Sequence, residues 1–432
     1  MRIERLWTHA LPAVLAATLV LAPAAAPPAL WDGLEIQALA GRIAKEHGLK
    51  LSQPVSWSVM EREKLRARLY QLVAAEYEPE EIVDEGRLLT RLGLLPAGTA
   101  YDQIIYGLLE EQIMGLYDPR AKELVLLGGT SEAVMEGVLV HECTHAIQDM
   151  NFDLSALTER KPGTADRNAA LEAVAEGDAL LMEQVMTSIL LPAGITVKQM
   201  KLLMQMAPME GQAMAKAPGF LRSVLLFPYL YGYVLVRNVY AQGGYKAVNG
   251  LFESPPASTE QVIHPERLGQ DPPIEVDLRL PSCLTAVYRL ASEDVMGEFA
   301  LSAWLEEWIV PHTARAAAEG WGGDRYAFLW PSSKKVGEGH LGHGVFVMMS
   351  TWDPGPEDDP DAEAVQFAAA LVQYLEARHP AAGREEAPGG DVFGLEADQI
   401  AVVERRGRRV LFVEGLPSAR ADVVIEAAWA SP

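Results

Sequence analysis

Cysteine is almost missing from this 432-residue chain: two residues, Cys143 and Cys283, exclude a disulfide framework and a Cys-rich zinc module, leaving at most one bridge. Positive charge is also scarce. Lys and Arg number 36 against 59 Asp and Glu, a net charge of −23, which argues against a sequence-independent grip on nucleic acid. No Gly-rich phosphate loop and no G-x-S-x-G nucleophile elbow occurs. Nor is there a repeated series of long apolar runs, so a polytopic membrane protein is excluded. With 49% apolar and 22% charged residues, the composition is that of a globular protein long enough for two or three domains.

The N-terminus has the form of an export signal. Arg2 and Arg5 precede an apolar run from Leu11 to Leu21, and Ala22-Pro23-Ala24 supplies an A-x-A-like cleavage site. Residues 1–26 are therefore expected to be removed on export to the periplasm or the medium. An uncleaved signal anchor is the alternative, and the one membrane contact the sequence suggests. A second apolar stretch, Ser223 to Val236, is too short for a bilayer span and is interrupted by Pro228 and Gly232, so it reads as a buried core helix.

Helical apolar spacing over Glu35 to His47, Val59 to Glu76 and Pro79 to Leu92 predicts an N-terminal helical layer, residues 27–100. A helix over Tyr101 to Gly115 opens the next domain, 101–270. In it the turn Tyr117-Asp118-Pro119-Arg120, a short strand Glu123 to Leu127 and a helix from Ser131 to Met150 follow in order. Beyond Asp271-Pro272-Pro273, strands at Thr285 to Leu290, Arg325 to Leu329, Gly344 to Ser350, Ile400 to Val403 and Arg409 to Val413 alternate with helices. These helices run from Phe299 to Glu319, with a kink at Pro311, and from Ala362 to His379, giving a smaller α+β domain over 277–432. Trp304, Trp308, Trp321 and Trp330 are expected in its core, and Pro354 to Asp361 reads as a solvated acidic loop. The fold class is α+β with a mainly helical central domain.

The chemistry is concentrated in His141-Glu142-Cys143-Thr144-His145. Histidines four apart on a helix share one face and can bind one cation, whereas Glu142 is rotated about 100° from His141, where a general base for an attacking water belongs. Cys143 points the other way and reads as a small buried hydrophobe. Zinc needs a third protein ligand. The helix that follows offers two, Glu172 and Glu176, between which spacing does not choose. Asp149 and Asp178 are candidates for orienting an imidazole. In the segment Thr259-Glu260-Gln261-Val262-Ile263-His264-Pro265, His264 is a candidate oxyanion donor, with a rigid turn as the alternative. The pair His340 and His343, in a glycine-rich run, reads as a flexible loop.

The H-E-x-x-H motif followed by Glu176-Gly177-Asp178-Ala179 resembles the gluzincin metallopeptidases, which implies a zincin-like domain and a peptide-hydrolysing activity. The resemblance favours Glu176 as the third ligand of a single Zn2+, with Glu172 as the fallback. Together with the Tyr117-Asp118-Pro119 turn, the stretch from His145 to Leu154 and the Thr259 to Pro265 element, it is also similar to a group of uncharacterised exported bacterial proteins assigned as metallopeptidases, over residues 105 to 270. The spacing from His145 to Glu176 is longer than in the best-known gluzincins. In this reading His141, His145 and Glu176 hold zinc, Glu142 is the catalytic base, the strand Glu123 to Leu127 lies along the cleft as an edge and aligns a protein or peptide substrate, and no nucleic acid is bound. A non-catalytic exported binding module with a structural or absent metal is the competing reading. A latent enzyme whose cleft is covered by the N-terminal helices or the Tyr117 turn is a third. Oligomeric state and cleavage preference are not legible.

Overall fold

The computed structural model describes residues 32–187, 195–206, 212–332, 344–387 and 389–431. The expected export signal and the pair His340 and His343 lie outside these residues. The fold is α+β, with helices gathered in the N-terminal part and strands in the C-terminal part.

Helix α1, Gly33–His47, starts where the Asp32 carboxylate accepts from the Glu35 backbone N–H while Glu35 accepts from that of Asp32. Its face Ile36, Leu39, Ala40, Ile43 is buried at a period near 3.6. The next helix, α2 (Arg62–Glu76), begins later than the apolar spacing suggests, because Ser56–Met60 forms strand β1. This strand pairs in parallel with β3, Glu123–Leu127, whose other side pairs with β2, Gly115–Asp118, in antiparallel fashion. The expected edge strand is therefore the centre of a three-stranded sheet. With both sides hydrogen-bonded, β3 has no free backbone with which to align a substrate. The N-terminal layer is completed by α3, Pro79–Arg91, and α4, Tyr101–Gln112, follows.

Helix α5, Glu132–Phe152, carries the histidine motif in its middle. Every residue from Gly137 to Asp149 is buried, the apolar Val138, Leu139, Val140, Cys143, Ala146 and Ile147 on one side and the polar His141, Thr144, His145 and Gln148 on the other, so it is a central helix. Against it packs α6, Ala165–Thr187. The apolar stretch around Pro228 forms α7, Gly219–Phe227, a π-helical turn Pro228–Gly232 and α8, Tyr233–Glu253. The wider turn accommodates the proline without stopping the helix. This run is long and apolar enough to cross a membrane by length and composition, yet 67% of its most apolar window is buried inside the protein, as suits a core helix. It crosses α6 at a glycine pair: a Cβ on Gly177 would lie 2.3 Å from the Gly232 carbonyl, and one on Gly232 would lie 1.9 Å from the Ala173 oxygen. Only glycine permits that approach.

The C-terminal part is a seven-stranded antiparallel sheet in the order β4-β5-β6-β10-β9-β8-β7. Its strands are β4 Tyr288–Asp294, β5 Trp321–Pro331, β6 Val345–Trp352, β7 Gly383–Ala387, β8 Gly390–Gly394, β9 Gln399–Arg406 and β10 Arg409–Pro417. On β6, Phe346 and Met348 face the main core while Val345, Val347 and Met349 face a smaller one, the period of two expected of a strand covered on both sides. The expected helix across Pro311 is two, α9 Gly297–Glu306 and α10 Pro311–Ala318, with the proline at the first turn of the second. Helix α11, Ala362–Arg378, covers the sheet, and α12, Ala421–Trp429, closes the chain. Trp304 and Trp321 are fully buried, and the main core runs unbroken from Ile36 to Phe412. Ion pairs bridge the two parts, Arg289 to Asp84 at 2.5 Å and Arg91 to Glu414 at 3.9 Å. Both cysteines are free, Cys143 buried and Cys283 exposed.

Candidate metal centre

Because α5 is helical through the motif, His141 and His145 stack one turn apart with ring centroids 4.7 Å from each other. Glu176 of α6 meets them: its Oε2 lies 3.1 Å from His141 Nε2 and 3.6 Å from His145 Nε2. Tetrahedral zinc with bonds of about 2.0–2.1 Å sets its ligand atoms about 3.4 Å apart, so these separations fit one ion. His145 Nε2 has no hydrogen-bond partner, an unusual state for a buried donor or acceptor and one that a cation resolves. The group His141, His145 and Glu176 is buried and can hold a metal ion. Glu172, the fallback ligand, is not part of it.

Each ligand is braced from behind. His141 Nδ1 donates to Glu183 Oε1 at 2.7 Å, which leaves Nε2 for the cation. His145 Nδ1 donates to Gln148 Oε1 at 2.8 Å, and Gln148 Nε2 donates to Asp178 Oδ2 at 2.7 Å. The same Asp178 oxygen accepts from His47 Nε2 at 2.7 Å, tying helix α1 to the centre. The Tyr229 hydroxyl, on the π-helical turn, hydrogen-bonds Glu176. Asp178 thus reaches an imidazole ligand only through Gln148, and Asp149 does not reach one: it accepts from the Tyr117 hydroxyl at 2.8 Å and pairs with Lys122 at 2.5 Å. The roles expected of these two aspartates fall to Glu183 and Gln148. Glu183 stands seven residues beyond Glu176 on the same helix face, and Gln148 three beyond His145, so helical spacing carried both signals.

The electrostatics suit a cation. Burial works against charge on Glu176, but the two imidazoles outweigh it and hold the carboxylate at about 2. Burial likewise opposes an imidazolium at His141, yet Glu176 and Glu183 on either side raise its pKa well above the usual value. Glu142 is fully buried beside the ligands, with neither oxygen in hydrogen-bond geometry, and burial pushes it up to about 7.

A cleft of about 500 Å3 opens on His145 and Glu176. One wall comes from α2 and the turn after it, including Leu72, Glu76 and Tyr77, and another from Tyr117 and Asp118 of β2. His264 is not among the residues lining this cleft. It caps the short helix Thr259–Ile263 and its Nε2 lies 2.9 Å from Glu298 of α9, while Thr259 hydrogen-bonds Asp166 at the start of α6. The segment bolts α6 to α9, which corrects the expectation of an oxyanion donor and favours the rigid turn.

Residues 286–425 match a family described as a domain of unknown function, DUF8575, a span that covers the antiparallel sheet and none of the metal-centre residues. No curated protein matches the chain. A solved structure titled "Crystal structure of a putative hydrolase with a novel fold from Chloroflexus aurantiacus" overlaps 61% of this chain and 97% of its own, at 20% identity and a TM-score of 0.35. An overlap of that quality defines neither a shared fold nor a shared activity.

Proposed function

We propose that the chain is an exported zinc-dependent peptidase, with His141, His145 and Glu176 as ligands and Glu142 as general base. The observation that carries this reading is the convergence of two imidazole nitrogens and a carboxylate oxygen on one point, with His145 and Glu176 lining a cleft and Glu142 fully buried alongside. Two nitrogens and one oxygen form a His2Glu set, a donor type that zinc accepts with a position left for water or substrate. When bound, zinc polarises a scissile carbonyl and lowers the pKa of a coordinated water. Glu142 takes a proton from the attacking water and delivers it to the departing amine. Gln148 and Glu183 hold the two rings so that their Nε2 atoms stay aimed at one point. Export is supported by Arg2, Arg5, the run Leu11 to Leu21 and Ala22-Pro23-Ala24.

The edge strand that meets the cleft is β2, whose Tyr117 and Asp118 line it, so an extended peptide is expected to run along β2. The deciding experiment compares the zinc-loaded wild type with Glu142→Gln on a mixture of unstructured peptides. The variant is expected to keep its zinc and to lose about 10²–10⁴-fold in cleavage rate. Equal rates would remove Glu142 from the reaction.

A further inference from the structure

The cleft contains a second buried acid for which neither metal binding nor proton transfer has a use. Glu172 is 5% exposed, lines the cleft, and both of its carboxylate oxygens lack a hydrogen-bond partner. The other acids of the cleft wall outside the metal group are different: Glu76 pairs with Arg120, Asp118 with Arg68 and Glu159 with Lys161, Glu81 accepts from the Glu78 backbone N–H, and Glu78 is exposed. Nor do the two arginines of the wall serve Glu172. Arg120 is 2.5 Å from Glu76, and Arg160 donates to the Glu76 carbonyl while its guanidinium stacks over the Tyr77 ring at 4.1 Å. A buried carboxyl without a donor carries a penalty that native proteins keep mainly where a ligand removes it.

We propose that Glu172 is the specificity residue of the cleft, receiving the cationic end of a lysine or arginine side chain next to the scissile bond. The inference rests on the peptidase reading and extends it to a substrate class. Two features support it. Leu72, Leu171 and Ala175 beside Glu172 give the methylene stem of a lysine or arginine an apolar wall. Glu172 stands one helical turn before Glu176, about 6 Å along α6. A long basic side chain spans that separation from its own carbonyl, whereas an α-ammonium, two bonds from its carbonyl carbon, falls short. Discrimination against neutral side chains follows from the desolvated ion pair that a cationic side chain forms with Glu172.

The test uses three peptides identical except for lysine, leucine or glutamate beside the scissile bond. The enzymes are zinc-loaded wild type, Glu172→Gln and Glu172→Asp, each first shown to hold one zinc. Wild type is expected to favour the lysine peptide over the leucine peptide by more than about tenfold in kcat/KM. That ratio should fall to near one in Glu172→Gln and recover in part in Glu172→Asp. A wild type without basic preference, or a preference that survives Glu172→Gln, overturns the proposal. Binding to Glu142→Gln protein separates this failure from that of the peptidase reading. If no peptide is cleaved but the lysine peptide binds this protein more tightly, and Glu142→Gln/Glu172→Gln loses the difference, the cation subsite stands and the hydrolytic reading falls. If lysine and leucine peptides bind Glu142→Gln alike, the subsite is refuted.

Discussion

Replacing Gly177 by alanine sets two physical effects against each other. Within a helix, alanine is favoured over glycine by about 1 kcal/mol, so propensity alone predicts stabilisation. The crossing of α6 with the π-helical turn predicts the reverse. The new Cβ would lie 2.3 Å from the Gly232 carbonyl carbon and oxygen and 2.8 Å from the Tyr233 nitrogen, against an ordinary contact distance beginning at 3.4 Å. All three opposing atoms are backbone, so no side chain can swing aside, and the helices must part by about 1 Å. Overpacking of this kind costs about 1–3 kcal/mol or more, and with no flexible atom to yield the upper end applies, leaving a net loss of about 2 kcal/mol after the propensity gain. Thermal unfolding followed by circular dichroism should show Tm lower by about 2–3 °C, since a chain of this size has a large unfolding entropy. Because Glu176 is the neighbouring residue and Tyr229 sits on the opposing turn, zinc affinity measured against a competing chelator should fall as well. Gly232→Ala, whose Cβ would meet the Ala173 oxygen at 1.9 Å, should behave alike, and the double variant should cost less than the sum of the two, since one separation relieves both contacts. An unchanged or higher Tm for Gly177→Ala would refute the reasoning.

Three further outcomes are expected. Glu183→Ala removes the acceptor of His141 Nδ1 and should weaken zinc binding about 10–100-fold in chelator competition; an unaltered affinity would show that the ring needs no brace. Gln148→Ala cuts His145 from Asp178 and His47, and should weaken zinc binding in the same assay; a wild-type affinity would separate α1 from the centre. Asp166, buried under Thr259, has its pKa pushed up to about 8 by burial. An acid raised in the folded state contributes stability that is fully present below its unfolded pKa of about 4 and is lost as pH rises towards about 8, at up to about 1.4 kcal/mol per pH unit. Asp166→Asn should therefore flatten the fall in urea-unfolding stability over that window, and parallel curves for the two proteins would contradict the assignment.

Local features of the centre were legible because one helix encodes them: the four-residue spacing of His141 and His145 fixes a shared face whatever surrounds it. Spacing did not choose Glu176 over Glu172, which only the resemblance favoured, since both carboxylates can face one way on α6 and the depth at which α6 crosses α5 decides between them. That depth depends on the Gly177 and Gly232 contact, made by residues far apart in the chain. Strand β1 was hidden for a related reason. Ser56–Met60 has the apolar content of a helix entry, and its partner Glu123–Leu127 lies 67 residues onward, so only the tertiary pairing makes it a strand. Strands β7 and β8 were missed because Arg384, Glu385 and Glu386 leave no apolar alternation to read, being held instead by pairing with Asp391 and Val392 at the sheet edge. The helix Ala421–Trp429 also went unrecognised, its apolar face too short to stand out beside the closing hairpin. His264 illustrates the opposite error: a polar cluster fixed by proline suggested catalysis, and it serves packing between α6 and α9 instead.

The central claim is that one zinc ion is held between α5 and α6 by two imidazoles and a carboxylate. Zinc content per chain, measured by elemental analysis of protein purified without chelators, tests it directly across wild type, His145→Ala and Glu176→Ala. The account predicts one zinc per chain in the wild type and less than about a tenth of that in either variant, as follows when a His2Glu set loses one of its three protein ligands. Equal zinc in all three proteins, or none in the wild type, would contradict it.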